Sequence, residues 1–352
     1  MDNQRLLRVI IKQGFSFSFL KESDIDLHKE FIKRNWPAST LKSDYNYNKW
    51  KFGDRGNGEI NIIVCKKDNN IVGQFGLIPL KIVIRGQVYQ GFWGCNFKID
   101  DIYKDIGLGA AIDIFAIEHY PMIMATSPSD ESAKYKKRLG WLSIKGSAIL
   151  FFPIKIKDLL KIKKMPAVVG KAVDVVSYFV DPLWACFLNV RLRMYKENNW
   201  SYTNQETIVD KISNRKTKLK VPYILHDKTF LDWRTKPPEQ AKKDIKYLIS
   251  DQNQSYAIYS VIGKIIYIFE HYYETKKDIG SFIKFLIKKE KNRDTGLLKI
   301  YANSESELRL FKSFSFIPLR TPNEFFVYSQ DNLFSGINNV HIDIYDGDGI
   351  LA

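Results

Sequence analysis

Two glycines and a lysine within six residues form the most informative pattern in the chain. Residues 104–109 read Lys-Asp-Ile-Gly-Leu-Gly, and they lie where a predicted strand gives way to a helix predicted over residues 108–119. The first amides of a helix lack intrahelical acceptors and the helix dipole favours negative charge there, so such a junction binds anions. Glycines allow the backbone to approach a phosphate closely. The sequence therefore predicts an anion-binding loop made of Lys104, Asp105, Ile106, Gly107, Leu108 and Gly109.

Aromatic and histidine side chains supply further binding candidates. Tyr45, Tyr47 and Trp50 form a group that could stack on a base, close over a sugar or pack in the core. The five histidines show no spacing typical of a metal site or a catalytic triad, and His271 is the one that we select for testing. We therefore expect no metal.

The elements around the loop follow from hydrophobic periodicity. Short strands are predicted at residues 59–66, 71–78, 80–84 and 88–99, with Pro79 ending the second. The helix at 108–119 is followed by a strand at 122–126, a helix at 132–139 and a strand at 148–152. This order describes an antiparallel meander that runs into alternating helices and strands.

The C-terminal part repeats this order. Strands are predicted at 245–250, 256–262, 265–273, 297–302 and 325–328, with helices at 279–289 and 305–314. The tetrapeptide at 104–107 recurs at 277–280, an offset of 173, and residues 137–141 are echoed at 312–316, an offset of 175. Phe282 takes the place of Gly109, so we expect a second copy that no longer admits a ligand.

The predicted fold class is α/β, more specifically α+β, with two lobes related by internal duplication. Each lobe is expected to be a mixed, mostly antiparallel sheet flanked by helices. The predicted boundaries are an N-terminal domain at 1–152 with the anion site, a basic helical connector at 153–220 and a degenerate C-terminal domain at 221–352.

Composition narrows the class of protein. The 352 residues carry a net charge of +15, and residues 151–220 contribute 14 basic against 6 acidic side chains to it. Because more than half of the excess positive charge lies in the connector and no recognition module is found, we expect no nucleic-acid binding. The three cysteines are far apart, and the sequence shows neither a leader pattern nor an uninterrupted apolar span, so we expect a cytoplasmic protein. The oligomeric state does not follow from the sequence.

The loop and its context resemble the Gcn5-related N-acetyltransferase (GNAT) superfamily. In that family a pyrophosphate loop of the form Gln or Arg, two residues, Gly, one residue, Gly or Ala follows a long strand and opens a helix. A later helix that ends in leucine, glycine and an aromatic residue matches Leu139-Gly140-Trp141. Lys104 replaces the usual Gln or Arg. The resemblance covers residues 55–152 and, as a decayed copy, residues 245–330, and it implies tandem GNAT-like lobes with acyl-coenzyme A as co-substrate.

The resemblance also implies roles for individual residues. An amine attacks the thioester, and backbone amides from Phe97 to Ile99, at a splay between the fourth and fifth strands, stabilise the oxyanion. Asn96 either orients the amine or a water or makes a sheet-edge hydrogen bond. Tyr135 lies five residues before the glycine, where the family places its general acid four before, so it is either that acid or a core residue. Asp130 either binds the amine or caps the next helix.

The sequence says less about the amine that would accept the acyl group. Trp233-Arg234, near the start of the second lobe, resembles bacterial nucleotide-sugar N-acyltransferases. This favours a nucleotide-linked amino sugar, bound with Tyr45, Trp50, Trp233, Arg234 and His271, in surface glycan synthesis such as that of lipopolysaccharide or O-antigen. A peptide, protein or aminoacyl acceptor and a non-catalytic binding module are the alternatives. The basic connector also suggests peripheral association with the inner membrane face.

Overall fold

The computed structural model describes residues 3–126, 128–162, 167–196, 199–290, 293–320 and 324–346. The helices of the first half are α1 (Asn3–Lys12), α2 (Ile25–Asn35), α3 (Tyr45–Phe52), α4 (Leu108–His119) and α5 (Asp130–Arg138). Its strands are β1 (Phe15–Lys21), β2 (Asp54–Gly56), β3 (Glu59–Lys67), β4 (Asn70–Ile84), β5 (Gln87–Ile99), β6 (Met122–Thr126), β7 (Leu142–Lys145) and β8 (Ala148–Pro153).

The second half has the same alternation. Its helices are α6 (Ile156–Ile162), α7 (Ala167–Leu192), α8 (Gln205–Lys216), α9 (Lys228–Thr235), α10 (Lys276–Lys289) and α11 (Glu305–Ser313). Its strands are β9 (Trp200–Tyr202), β10 (Tyr223–Ile224), β11 (Lys246–Ser250), β12 (Tyr256–Ile262), β13 (Ile265–Tyr272), β14 (Leu297–Ala302), β15 (Ile317–Arg320) and β16 (Glu324–Ser329).

Two mixed sheets carry these strands. The first has the order β1-β3-β4-β5-β6-β16-β7, with β2 and β10 attached at its side, and the second has the order β15-β8-β14-β13-β12-β11-β9. Within each sheet the pairing is antiparallel except at β5–β6 and at β13–β14. A shared core fills the space between the sheets, with Trp93 and Phe325 from one and Tyr256 and Phe269 from the other. The predicted architecture of two duplicated, mostly antiparallel lobes is confirmed.

The two lobes exchange their last strands. β8, predicted in the first lobe, lies in the second sheet between β14 and β15, where Phe152 pairs with Leu298. β16, predicted in the second lobe, lies in the first sheet between β6 and β7, where Phe326 pairs with Ala125. The lobes are therefore not separated by a boundary at residue 152, because each sheet is completed by a strand from the other half of the chain.

The duplication also begins earlier than the sequence indicates. Residues 153–220, predicted as a helical connector, contain β9, which pairs with β11 as the edge of the second sheet. The series α7-β9-α8-α9-β11 repeats α1-β1-α2-α3-β3 in order, and α7 packs on α10 as α1 packs on α4. Most of the connector is therefore the first part of the second lobe.

Strand β4 is continuous through Pro79, which the sequence analysis takes as a strand end. Pro79 pairs with Phe92 of β5 on one side. On the other side, pairing with β3 ends at Gly76 and pairing with β10 begins at Ile82. A proline lacks only its amide donor, so it is tolerated where one edge of the strand needs no hydrogen bond.

Helices α3 and α9 meet across the approximate two-fold relation of the lobes. Asp44 caps α3 by accepting the amide of Tyr47, and Asp227 caps α9 by accepting the amide of Phe230. The indole of Trp50 donates to the carbonyl of Trp233 at 3.1 Å, and the indole of Trp233 donates to the carbonyl of Trp50 at 2.7 Å. This reciprocal pair joins equivalent residues of the two lobes.

No helix in the part of the chain that the structure describes is long and apolar enough to cross a bilayer.

Candidate active site

The centre of the first sheet opens between β5 and β6. These parallel strands pair at Phe92 with Ile123 and at Trp93 with Met124, and in the described residues the ladder ends there. Farther along β5, Asn96 and Phe97 lie opposite the single residue Phe75 of β4, which forms a bulge. Asn96 has a φ of 51°, and asparagine tolerates this left-handed conformation better than most residues. The splay predicted near Phe97 is therefore present.

A cavity of about 420 Å³, here called the loop cavity, lies at this opening. It is lined by Phe97, Lys98, Ile99, Lys104, Asp105, Gly107, Gly109, Ala110, Ser129, Glu131, Ser132 and Tyr135. Two residues predicted to bind the cofactor lie elsewhere: Leu108 is fully buried in the core, and Ile106 is exposed on the surface. Apolar residues of a helical turn point to the core or to water according to their position on the turn, and the loop motif alone does not distinguish them.

The first turn of α4 forms one wall of the loop cavity. Gly107 precedes the helix with a φ of 83°, and no side chain caps this end in the described part of the chain. A Cβ built on Gly109 would lie 3.1 Å from Ile99 Cδ1 and 3.5 Å from the Tyr135 hydroxyl, so only a residue without a side chain leaves this wall open. The amides of this turn lack intrahelical acceptors and are available to an anion in the cavity.

The side-chain charges of the loop cavity are balanced. Lys98 and Lys104 face Asp105 and Glu131 around its rim, and the Lys104 ammonium lies 2.8 Å from the Asp101 carboxylate. Because the side chains leave no net charge, a preference for an anion would have to come from the end of the helix.

Tyr135 presents its hydroxyl to the loop cavity. Ser132, one helical turn earlier on α5, donates to the Tyr135 hydroxyl at 3.0 Å. Burial and the nearby Asp113 carboxylate raise the pKa of Tyr135, so its hydroxyl keeps its proton at neutral pH. Lys136, which occupies the position of the family's tyrosine in the motif, points away into the core and donates to both oxygens of Asp113 at 2.8 Å. Of the two neighbours, Tyr135 is the one that can reach a ligand.

A polar chain lies around the bulge. Lys42 donates to the side-chain oxygen of Asn96 at 2.8 Å, and Gln74 donates to the Asn96 carbonyl at 3.1 Å. A ring nitrogen of His28 lies 2.8 Å from the Gln74 side-chain oxygen. Burial lowers the pKa of His28 to about 4, so the ring is neutral and donates to Gln74. Sequence reasoning misses Lys42, Gln74 and His28, since none belongs to a spaced motif.

Other predicted site residues lie away from the loop cavity. Asp130 is exposed and does not line it, and the cap of α5 is Ser129, which accepts the amide of Ser132. Tyr45 donates to the carbonyl of Gly58. His271 is buried in the second lobe and bonded through Nε2 to the Tyr301 carbonyl at 2.9 Å, so the prediction of a substrate contact there is not supported by its placement.

The predicted tryptophans serve the contact between the lobes. Trp50 and Trp233 line a separate cavity of about 260 Å³ that shares no lining residue with the loop cavity. Arg234 is buried, stacks on Trp233 and donates to the carbonyl of Asp346 at 3.3 Å. These residues are engaged with the protein itself.

The equivalent site of the second lobe is filled. The tetrapeptide repeated at 277–280 lies inside α10 and not in a loop, because only three residues separate β13 from this helix. The Asp278 carboxylate accepts from the amide and the hydroxyl of Thr275 at 2.8 Å, which closes the helix start. A Cβ on Gly280 would lie 2.5 Å from the ring of Tyr195. The expected loss of a ligand site in this lobe agrees with these contacts.

One buried cluster has the composition of a metal site. Ligand atoms of His226, Glu270 and Asp343 lie within 4.8 Å of one another. The ammonium of Lys216 lies 2.9 Å from His226 Nδ1 and 3.1 Å from Asp343 Oδ2, so a side-chain cation already occupies the centre. Although burial opposes it, the carboxylates of Glu270 and Asp346 raise the pKa of His226 to about 9. The donor set does not fit a metal as well as it fits this lysine.

The fold of the chain is similar to that of several solved structures. The chain is similar to GCN5-related N-acetyltransferases from Anabaena variabilis (TM-score 0.58, 11% identity) and Kribbella flavida (TM-score 0.59, 8% identity). The matches cover 89% and 90% of this chain and 72% of each of those chains. It is also similar to N-myristoyltransferase from Saccharomyces cerevisiae, solved with bound myristoyl-CoA, at a TM-score of 0.56 and 10% identity over 90% of this chain and 82% of that one.

No protein-family model matches the sequence, and no curated protein matches it. The similarity to solved structures therefore concerns the architecture alone. It is consistent with the splayed strands, the glycine loop and the duplicated lobes described above. The chain has the fold of the GCN5-related N-acetyltransferases, in a two-lobed form.

Proposed function

We propose that the chain is an acyl-coenzyme A-dependent N-acyltransferase whose donor binds in the loop cavity. The observation that carries the proposal is the uncapped first turn of α4, which faces a cavity also lined by Phe97 to Ile99, the part of β5 beyond its pairing with β6. The pyrophosphate would accept hydrogen bonds from the amides of Gly109 and Ala110, and the pantetheine arm would extend along the open edge of β5. The bound myristoyl-CoA of the yeast neighbour supports this class of donor.

The reaction follows from the groups around the splay. A neutral amine attacks the thioester carbon, and backbone amides of β5 beside the bulge stabilise the oxyanion that forms. Collapse of this intermediate breaks the carbon–sulfur bond, and the Tyr135 hydroxyl gives its proton to the departing thiolate. The nitrogen loses one proton to solvent, and solvent returns one proton to the Tyr135 phenolate, which completes the balance. The products are an amide and free coenzyme A.

Among the described residues no carboxylate is hydrogen-bonded to Asn96, so this position supplies no general base. Much of the acceleration then comes from holding the two reactants together. This suits an amine that is partly unprotonated at neutral pH, such as an amine on a sugar ring.

For the acceptor we propose a nucleotide-linked amino sugar used in surface glycan synthesis. The support is chemical: the net charge of +15 and the Lys42 ammonium beside Asn96 favour an amine that carries phosphate groups. Trp50, Trp233 and Arg234 no longer support this choice, because the two tryptophans join the lobes and Arg234 is buried against the Asp346 carbonyl. A peptide or aminoacyl amine is the alternative acceptor.

Release of free thiol tests both parts of the proposal. Acyl-coenzyme A donors of increasing chain length are paired with nucleotide-linked amino sugars, free amino sugars and peptides. We expect turnover with the nucleotide-linked acceptors and none for Gly109→Phe, which fills the cavity. Turnover only with peptides would show that the acceptor is a peptide amine and not a nucleotide-linked amino sugar. Absence of thiol release with every pair would contradict the enzymatic proposal.

A further inference from the structure

Helix α7 presents an unusually apolar face to solvent. Its side chains are described from Ser177 onward, and Leu188 and Leu192 face the second lobe. Trp184 lies on the same side and donates to the Pro153 carbonyl at 2.8 Å. The outward side of the helix and the turn directly after it carry six large apolar residues that are between 46% and 79% exposed: Tyr178, Phe179, Leu183, Phe187, Val190 and, in the turn, Met194. Contiguous exposed apolar surface of this kind marks an interaction site.

The first lobe provides an internal comparison. Helix α1 occupies the equivalent place, and its outward side is mainly polar, with Gln4, Arg5, Arg8 and Lys12 around two exposed apolar residues, Val9 and Ile11. An outer helix of this fold therefore does not need an apolar outer face. The face of α7 is a property of the second lobe alone.

The exposed charged side chains that the structure describes on and just after the second half of α7 are basic. Asp181 is half-buried and accepts the amide of Ile156 at 2.8 Å, and Asp158 is buried. Arg193 and Lys196 are exposed at the end of the helix, and Lys157 lies beside Tyr178 and Phe179. The basic side chains thus remain available at the rim of the face, whereas Asp158 is buried and the half-buried Asp181 is bonded to backbone.

We propose that α7 docks the protein on an anionic membrane surface. The helix would lie along the interface, because its other side packs on the protein, with aromatic and aliphatic side chains in the boundary between headgroups and acyl chains. The basic rim would meet the anionic headgroups. A second copy of the chain is a poorer partner for the same surface, because it would bring together two basic rims on chains that each carry a charge of +15.

Vesicle sedimentation of the full chain tests this proposal. Vesicles of phosphatidylcholine alone are compared with vesicles in which part of that lipid is replaced by phosphatidylglycerol. We expect binding to the anionic vesicles, at least about tenfold weaker binding for Arg193→Glu with Lys196→Glu, and loss of binding for Phe179→Ser with Leu183→Ser and Phe187→Ser. The matched control, Val9→Ser with Ile11→Ser on α1, should bind as the unmodified chain does.

A second readout reports insertion directly. Cys186 is exposed on α7, so a polarity-sensitive fluorophore attached there should shift to shorter wavelength on anionic vesicles, with Cys186→Ser as the labelling control. Thiol release with a soluble acceptor should be unchanged in the serine variants, which separates this proposal from the enzymatic one. Absence of vesicle binding, binding that the serine variants retain, or concentration-dependent dimers that these variants abolish would each overturn the proposal.

Discussion

Replacing Gly109 with alanine separates stability from cofactor binding. The residue lies in the first turn of α4 with ordinary helical backbone, so alanine is expected to stabilise the helix. The new Cβ would lie 3.1 Å from Ile99 Cδ1 and 3.5 Å from Phe97 Cζ. It would project from the wall that we assign to the pyrophosphate, and Ile99 would have to move by a few tenths of an ångström to accommodate it.

The two effects have opposite signs. Alanine gains roughly 1 kcal/mol over glycine in a helix interior, and partial crowding against Ile99 reduces this gain, so we expect a free energy of unfolding that is unchanged or raised by up to about 1 kcal/mol. Displacing a phosphate from one backbone amide removes a hydrogen bond to a charged group, worth about 1.5–3 kcal/mol. The dissociation constant for coenzyme A should therefore rise by roughly 10- to 150-fold.

Calorimetric titration with coenzyme A and urea unfolding measure the two quantities. Gly86→Ala is the matched control, since Gly86 has a φ of 80° at a distant hairpin and an added Cβ there meets no described atom within 4 Å. That variant should lose stability through backbone strain and keep its affinity. Unchanged coenzyme A affinity in folded Gly109→Ala would refute the placement of the pyrophosphate.

Three further predictions concern titratable groups of the first lobe. Because the pKa of His28 is lowered from 6.5 to about 4 in the folded chain, the unfolded chain binds its proton first and stability falls as pH drops from 6.5 towards 4. The loss from this residue between pH 7.5 and 5 should be about 2 kcal/mol, and urea unfolding of His28→Gln should not show it. Lys136→Met leaves the buried Asp113 carboxylate without its counter-ion and should lower the free energy of unfolding in urea by about 3–5 kcal/mol. Adding Asp113→Leu should recover most of that loss. Tyr135→Phe should lower kcat for thiol release roughly 100-fold with little change in KM for the donor; since the pKa of Tyr135 is raised, the unmodified enzyme should show no decline of kcat from this residue up to about pH 10.

Local patterns predicted the first lobe well. The strand pattern before Lys104, the glycines at 107 and 109 and the apolar spacing of α4 each depend on neighbours close in sequence, and the structure places all three as expected. The bulge at Asn96 also has a local cause, because asparagine adopts a positive φ readily. Its functional consequence, an open edge on β5, depends on where β6 diverges and was expected only from the family resemblance.

The features that the sequence did not predict depend on pairing between residues far apart in the chain. β8 and β16 have ordinary strand sequences, and nothing in their periodicity indicates that each completes the sheet of the other half. The repeated tetrapeptide at 277–280 suggested a second loop, although it lies inside α10. A better signal was present and was missed. Asp44, Tyr47, Trp50 and Lys51 match Asp227, Phe230, Trp233 and Arg234 at a constant offset of 183.

The exchange of strands has a consequence for synthesis of the protein. The gap between β6 and β7 can be filled only by β16, and residues 146–323 must be made in the interval. At roughly 5–20 residues per second, this leaves the first sheet open for about 10–40 s with unpaired edges on both sides of the gap. A nascent chain in this state is a candidate for chaperone binding, and a stop codon between β7 and β16 would leave a lobe that has every residue of the loop cavity and an incomplete sheet behind it.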